Sequence, residues 1–169
     1  MCLLTSALGA SLRRLFYAGT AEPVLVAPAE PVVYLNFNYS LKENWYKIRE
    51  ATNYAPPLRL ILNRYRAPQP TPTFVIFLTD GGNADKPASA EAIRELSSQP
   101  VFVQFVGIGK EDFPFLRKLD ELTGRFIDNA GFMPVNDIDV IKDAELYDRL
   151  LNEFPQWLEA ARENGILAA

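Results

Sequence analysis

Residues 73–83 read Thr-Phe-Val-Ile-Phe-Leu-Thr-Asp-Gly-Gly-Asn. The unbroken apolar run from Phe74 to Leu78, rich in aromatic and β-branched residues, is typical of a strand that is buried on both faces. Asp80 follows this run closely, and two glycines then turn the chain. Open α/β sheets bind their ligands at the carboxyl ends of such strands, although an aspartate here could equally cap the next helix or turn. The stretch therefore predicts a buried parallel strand and makes Asp80 a candidate functional residue.

Strand and helix patterns alternate on both sides of this stretch. The sequence predicts further strands at residues 32–37, 101–106 and 125–127, and helices at 41–48, 58–65, 88–96, 114–122 and 144–164. Ser89 is the expected N-cap of the helix at 88–96, and Pro155 should kink or split the last helix. This alternation predicts an α/β fold with a doubly wound, mostly parallel sheet and helices on both faces.

Composition limits the chemistry that is open to the chain. Its 169 residues are enough for a single domain with a substantial core. Histidine is absent and Cys2 is the only cysteine, which excludes Ser-His and Cys-His nucleophiles and Cys-cluster metal sites. The net charge is −4 without a basic stripe, so we expect no nucleic-acid partner. No apolar run is long enough to span a bilayer, and the cysteine usage predicts a cytoplasmic protein.

The residues around Asp80 also allow an enzymatic role for this aspartate, as an alternative to a role in binding or capping. A phosphotransfer aspartate generally needs a second carboxylate nearby to hold magnesium, and Gly82 stands where the partner acid would be expected. Asp85 is available only from farther along the loop. A small magnesium-dependent, phosphoesterase-like α/β enzyme that uses Asp80 therefore stays open as an alternative.

Five segments taken together, in order, carry a family resemblance: residues 51–57, 74–81, 103–109, 128–132 and 146–158. The first reads Ala-Thr-Asn-Tyr-Ala-Pro-Pro, the second Phe-Val-Ile-Phe-Leu-Thr-Asp-Gly and the third Val-Gln-Phe-Val-Gly-Ile-Gly. The chain resembles a von Willebrand factor type A (vWA) domain, and more narrowly the bacterial vWA proteins that are associated with tellurium resistance. The resemblance covers residues 40–167 well, whereas residues 1–39 form a divergent, Pro-rich front segment of the same single domain, 1–169.

The resemblance implies a metal-ion-dependent adhesion site at the carboxyl ends of the strands, in which three loops supply oxygen ligands that suit magnesium. Thr52 matches the second loop and Asp80 the third. The first loop departs from the Asp-x-Ser-x-Ser pattern, because Ala7 and Gly9 replace the aspartate and the first serine and only Ser11 remains. The first strand and its helix are therefore expected to be eroded or rebuilt, and a spliced or frame-altered gene segment would give the same pattern.

The resemblance also implies the function. We expect the chain to be a protein–protein interaction module rather than an enzyme, and to be linked to tellurium resistance or a stress response. Its partner would dock through an acidic side chain that completes the coordination of the metal. Because the first carboxylate is missing, we expect magnesium to bind only weakly.

Overall fold

The computed structural model describes residues 32–36, 53–65, 71–136 and 140–167, and it gives the backbone alone for 32–36. These residues form an α/β fold with a parallel sheet. Its strands lie side by side in chain order: β1 (Val32–Asn36), β2 (Thr73–Thr79), β3 (Val101–Ile108) and β4 (Ala130–Val135). The helices are α1 (Ala55–Arg64), α2 (Lys86–Leu96), α3 (Pro114–Asp120), α4 (Asp143–Leu150) and α5 (Phe154–Glu163).

The two unbroken apolar runs are neighbouring parallel strands, which confirms the central prediction for the fold. β2 pairs with β3 along its whole length, so that Phe74 lies beside Phe102 and Phe77 beside Phe105. The rings of these pairs are 5.8 Å and 5.1 Å apart between centroids. Such cross-strand aromatic pairs stabilise a sheet beyond the burial of their area.

Helices cover both faces of the sheet, as predicted. On one face, α1, α2 and α3 pack on Phe77 and Phe105 and their neighbours. On the other face, α4 and α5 pack on Phe74 and Phe102. The described strands are sequential in the sheet, so the helices that connect them share one face. The second face is covered by the helices that follow β4.

Three helix boundaries differ from the prediction by two residues or more. Helix α1 begins at Ala55 rather than 58, because Pro56 and Pro57 occupy its first turn, where a missing N–H costs nothing. Helix α2 begins at Lys86, and its N-cap is Asp85 rather than the predicted Ser89, which lies buried inside the helix. Helix α3 ends at Asp120, two residues before the predicted end at 122.

The strand predicted at 125–127 is wrong, and β4 lies at 130–135 instead. The Arg125 guanidinium donates to the carbonyls of Asp120, the last residue of α3, and of Leu122, both at 2.7 Å. β4 contains Pro134, and the strand pairs on only one side among the described strands. A proline is tolerated at such a position because it removes a donor that no neighbour needs.

The last predicted helix is split into α4 and α5, as Pro155 predicted, with the proline in the first turn of α5. The helix predicted at 41–48 lies outside the described residues. Among the residues that the structure does describe, no helix combines the length and the apolar character that crossing a bilayer requires.

Candidate functional site

The loop from Asp80 to Asp85 joins β2 to α2 at the carboxyl edge of the sheet. Asp80 is exposed, and one of its carboxylate oxygens accepts a long hydrogen bond of 3.4 Å from the Gly82 amide. A contact of that length leaves the carboxylate available to a ligand. Asp80 therefore lies where the sequence placed it, at the end of β2 and open to solvent.

Tyr54 ties the start of α1 to the end of β2. Its hydroxyl lies 2.7 Å from the Thr79 hydroxyl in a buried contact, and the Thr79 oxygen also accepts from the Gly81 amide at 3.1 Å. The Tyr54 ring packs 5.0 Å from that of Phe77. Burial raises the pKa of Tyr54, the bond to Thr79 opposes the rise, and the charges of Asp80 and Asp85 add to it. Tyr54 is therefore neutral at physiological pH and lies within the electrostatic influence of Asp80.

Asp85 forms the second tie between the same two segments. One carboxylate oxygen accepts from the Tyr54 amide at 2.9 Å, and the other accepts from the Ala55 amide at 3.0 Å. The first oxygen also accepts from the Asn83 side chain at 2.9 Å and from the Ser89 hydroxyl at 2.7 Å. Burial disfavours the charged carboxylate, but these four hydrogen bonds outweigh it and lower the pKa of Asp85. The side chain is ionised; three of its four hydrogen bonds go to one oxygen and one goes to the other.

The hydrogen bonds from Tyr54 and Ala55 to Asp85 pair the backbone amides that are left free at the start of α1. The first amides of a helix have no partner within the helix. Pro56 and Pro57 remove two of those donors, and the Leu58 amide bonds to the Tyr54 carbonyl at 3.2 Å. The Asp85 carboxylate accepts hydrogen bonds from the two amides that precede the prolines, those of Tyr54 and Ala55. Its negative charge also complements the helix dipole.

Phe113 supports the Asp80 loop from the adjacent β3–α3 connection. Its ring is buried against Gly81 and Gly107, so closely that a Cβ at Gly81 would lie 2.7 Å from the ring. Phe113 has a φ of 48°, in the left-handed region that costs a bulky residue about 1–2 kcal/mol. The ring also packs 5.8 Å from that of Phe132. Burial of the Phe113 ring offsets the backbone strain, and the ring packs against the Asp80 loop at Gly81.

Of the three site residues predicted from sequence, the structure describes only Asp80. Thr52 and Ser11 lie outside the described residues, as do Ala7 and Gly9, so the predicted convergence of Thr52 and Asp80 stays a prediction. Residues 54 and 55, which follow Thr52 closely, lie against the Asp80–Asp85 loop. Sequence analysis missed the role of Asp85, although the Asp-x-x-x-Ser spacing from Asp85 to Ser89 was a signal for their contact.

Among the described residues, the oxygen donors at this edge include Asp80, Asp85 and Thr79. No three acidic, histidine or cysteine side chains converge on one point in the part of the chain that the structure describes. Asp80 offers an exposed carboxylate, whereas the Asp85 carboxylate accepts four hydrogen bonds and the Thr79 hydroxyl makes two. A phosphoesterase built on Asp80 would need a second carboxylate for the metal, and Asp85 is already engaged with the amides at the start of α1.

The fold and this edge define a vWA-type domain, the class that the sequence pattern indicated. A sequence model of the family described as the vWA found in TerF C terminus matches residues 12–167. The chain belongs to this vWA-TerF-like family. It is also 47% identical over 114 residues to an uncharacterized protein, YcbR, of Bacillus subtilis (strain 168). That match covers 66% of this chain and 46% of YcbR, so the chain spans less than half of the relative's length.

Membership of the family sets the class of function. A vWA-type domain is a protein-interaction or adhesion-type module, and the vWA-TerF-like family is generally non-catalytic. The matched range includes Thr52 and Asp80 and begins directly after Ser11.

Proposed function

We propose that this chain is a protein–protein interaction module that docks its partner at the carboxyl edge of the sheet, around Asp80. The observation that carries the proposal is the exposed Asp80 carboxylate on a loop that is held from two sides. Tyr54 and Asp85 fix the loop to α1, and Phe113 packs against it from the β3–α3 connection. A rigid loop with an open carboxylate offers a preorganised contact, which lowers the entropic cost of binding.

Thr52 and Ser11 extend the proposed site. Together with Asp80 they are the ligands that the family pattern assigns to a magnesium ion, and an acidic side chain of the partner would complete the coordination. With Ala7 and Gly9 in the first loop, the site keeps only part of the donor set. We therefore propose that magnesium binds weakly on its own and that Asp80 contacts the partner's acidic side chain through the ion.

Tellurium resistance or a related stress response is the proposed biological context, and it follows from the family alone. The expected result is that a strain lacking the gene grows less well on tellurite than its parent. Complementation with the unaltered gene should restore growth and complementation with Asp80→Ala should not. Equal growth of all four strains would remove this context while leaving the docking proposal in place.

Affinity capture with a matched control tests the docking proposal. The full chain, Asp80→Ala and Glu159→Ala are each used as bait in the source organism, and captured proteins are quantified by mass spectrometry. Glu159 is an exposed acid on α5, which packs on the sheet rather than at its carboxyl edge. We expect a protein that the unaltered chain and Glu159→Ala retain equally and that Asp80→Ala loses. Capture that is unchanged by Asp80→Ala would contradict the proposal.

A further inference from the structure

Glu153, at the start of α5, is a half-buried acid whose side chain lies against the sheet. Its carboxyl group lies over Gly131, near the start of β4. A Cβ at Gly131 would lie 2.9 Å from Glu153 Oε2 and 2.8 Å from Oε1 of Gln104, its neighbour on β3. Gln104 is buried, with only 2% of its surface exposed. The carboxyl group therefore occupies a space on the sheet that exists because residue 131 has no side chain.

The backbone of Glu153 holds the first turn of α5 at the same place. Its carbonyl accepts a hydrogen bond from the Trp157 amide at 3.1 Å. Phe154, the next residue, packs its ring 4.8 Å from that of Phe74 on the sheet and 5.4 Å from that of Trp157. The position of the Glu153 side chain is therefore coupled to the packing of α5 on the sheet.

The surroundings of Glu153 favour a neutral side chain. Burial is the main cause that raises its pKa to about 7, and the negative charges of Asp120 and Asp128 add to the rise. Arg125 opposes them, but its guanidinium is paired with Asp128 at 2.6 Å. A protonated carboxyl group has an O–H that can donate to Gln104 Oε1, whereas an ionised one has only acceptors. Ionisation therefore removes the polar contact that suits this space.

We propose that Glu153 is a pH-sensitive latch: its protonated side chain holds the start of α5 on β3 and β4, and its ionised side chain loosens it. A carboxylate that stays over Gly131 lacks the water that stabilises a charge, so it gains by moving out to solvent. That movement opens the first turn of α5 and uncovers the contact between Phe154 and Phe74. The latch lies near the amino end of β4, away from the Asp80 loop, and is independent of the proposed docking function.

Amide hydrogen exchange of the full, isotope-labelled chain tests the latch. The protection factor, which corrects for the effect of pH on exchange itself, should fall by about tenfold at Trp157 between about pH 5.5 and about pH 8.5. Glu153→Gln keeps a neutral side chain of nearly the same shape, and its fall should be less than about twofold. Glu159→Gln removes an exposed acid from the same helix and should behave as the unaltered chain. The first-turn amide of α1, at Leu58, should keep its protection in all three proteins because α1 packs on the other face of the sheet.

Three results would overturn the latch. In the first, protection at Trp157 falls as steeply in Glu153→Gln as in the unaltered chain, so that the carboxyl group has no part in it. In the second, protection falls equally at Trp157 and Leu58, which would mean that the whole chain loosens. The third requires no variant: the carboxyl-carbon resonance of Glu153 should titrate near pH 7 together with the protection at Trp157, and a midpoint near the ordinary value of 4.5 would contradict the proposal.

Gly131→Ala tests the geometry of the latch. The added Cβ would fill the space beside Glu153 Oε2 and Gln104 Oε1, so the carboxyl group should stay in solvent at every pH. We expect the Trp157 amide to be as poorly protected at about pH 5.5 as it is in the unaltered chain at about pH 8.5, with less than about twofold change between them. A pH dependence equal to that of the unaltered chain would contradict the proposal, because the carboxyl group would then act from another position.

Discussion

Substitution of Gly81 by alanine tests the packing that holds the Asp80 loop. Gly81 has a φ of 96°, and a Cβ there would lie 2.7 Å from one carbon of the Phe113 ring and 3.0 Å from the next. The left-handed backbone costs a residue with a Cβ about 1–2 kcal/mol, and overpacking a buried contact adds about 1–3 kcal/mol. We expect a total loss of about 3 kcal/mol, which lowers the melting temperature of a chain of this size by about 6–12 °C.

Two further glycines separate the two contributions. Gly165 has a φ of 69°, and no atom of the described residues lies within 4 Å of the position that a Cβ would take, so Gly165→Ala carries the backbone cost alone. Gly107 has no left-handed φ, but a Cβ there would lie 3.0 Å from three atoms of the Phe113 ring. Urea unfolding should place each single variant at about 1–2 kcal/mol below the unaltered chain and Gly81→Ala near their sum. A Gly81→Ala variant that loses no more than Gly165→Ala would refute the proposed contact with Phe113.

The remaining predictions concern protonation and a buried hydroxyl. Burial and the charges of Asp120 and Asp128 raise the pKa of Glu153 to about 7, although Arg125 opposes them. The folded state therefore favours the protonated acid, and the free energy of unfolding should fall as the pH rises from about 4.5 to about 7. After solvent screening, Glu153→Gln should be more stable than the unaltered chain by about 1 kcal/mol at pH 8 and equal to it at pH 4. A stability difference that does not change with pH would contradict this prediction. Tyr54→Phe keeps the ring but loses the hydrogen bond to Thr79, which should lower the free energy of unfolding in urea by about 1 kcal/mol. Tyr65→Phe, the control at the end of the same helix, should lower it by less than about 0.5 kcal/mol. Equal losses in the two variants would count against the role of the Thr79 contact.

The fold was predictable where burial dictates the residue pattern. The runs from Phe74 and Val101 lie between two helical layers, so nearly every position is apolar and the strand is visible in the sequence. β4 was misplaced because it contains Gly131 and Pro134, which weaken the strand pattern. The Arg125 segment resembles a strand locally, but it wraps around the end of α3 through side-chain hydrogen bonds to carbonyls. Contacts of that kind leave no periodic signal.

The position of the candidate site was predictable from the sequence, but the contacts that hold the Asp80 loop in place were not. Asp80 follows from a simple rule, because an acid after a buried parallel strand lies at the binding edge. Asp85 was assigned only as a distant substitute ligand, since its partners at Tyr54 and Ala55 lie 31 and 30 residues away and are backbone amides. Backbone donors have no residue identity, so a single sequence does not reveal such a contact. The closeness of Phe113 to Gly81 and Gly107 is likewise visible only in three dimensions.

Calorimetric titration of the full chain with magnesium tests the central claim, that this is a vWA docking edge with an incomplete metal site. With Ala7 and Gly9 in the first loop, the account predicts a dissociation constant of about 1 mM or weaker, equivalent to about −4 kcal/mol. The double substitution Ala7→Asp and Gly9→Ser should strengthen binding if residues 3–8 form the first strand. Micromolar binding by the unaltered chain would contradict the account, because it would require a second carboxylate beside Asp80 that the chain is proposed to lack.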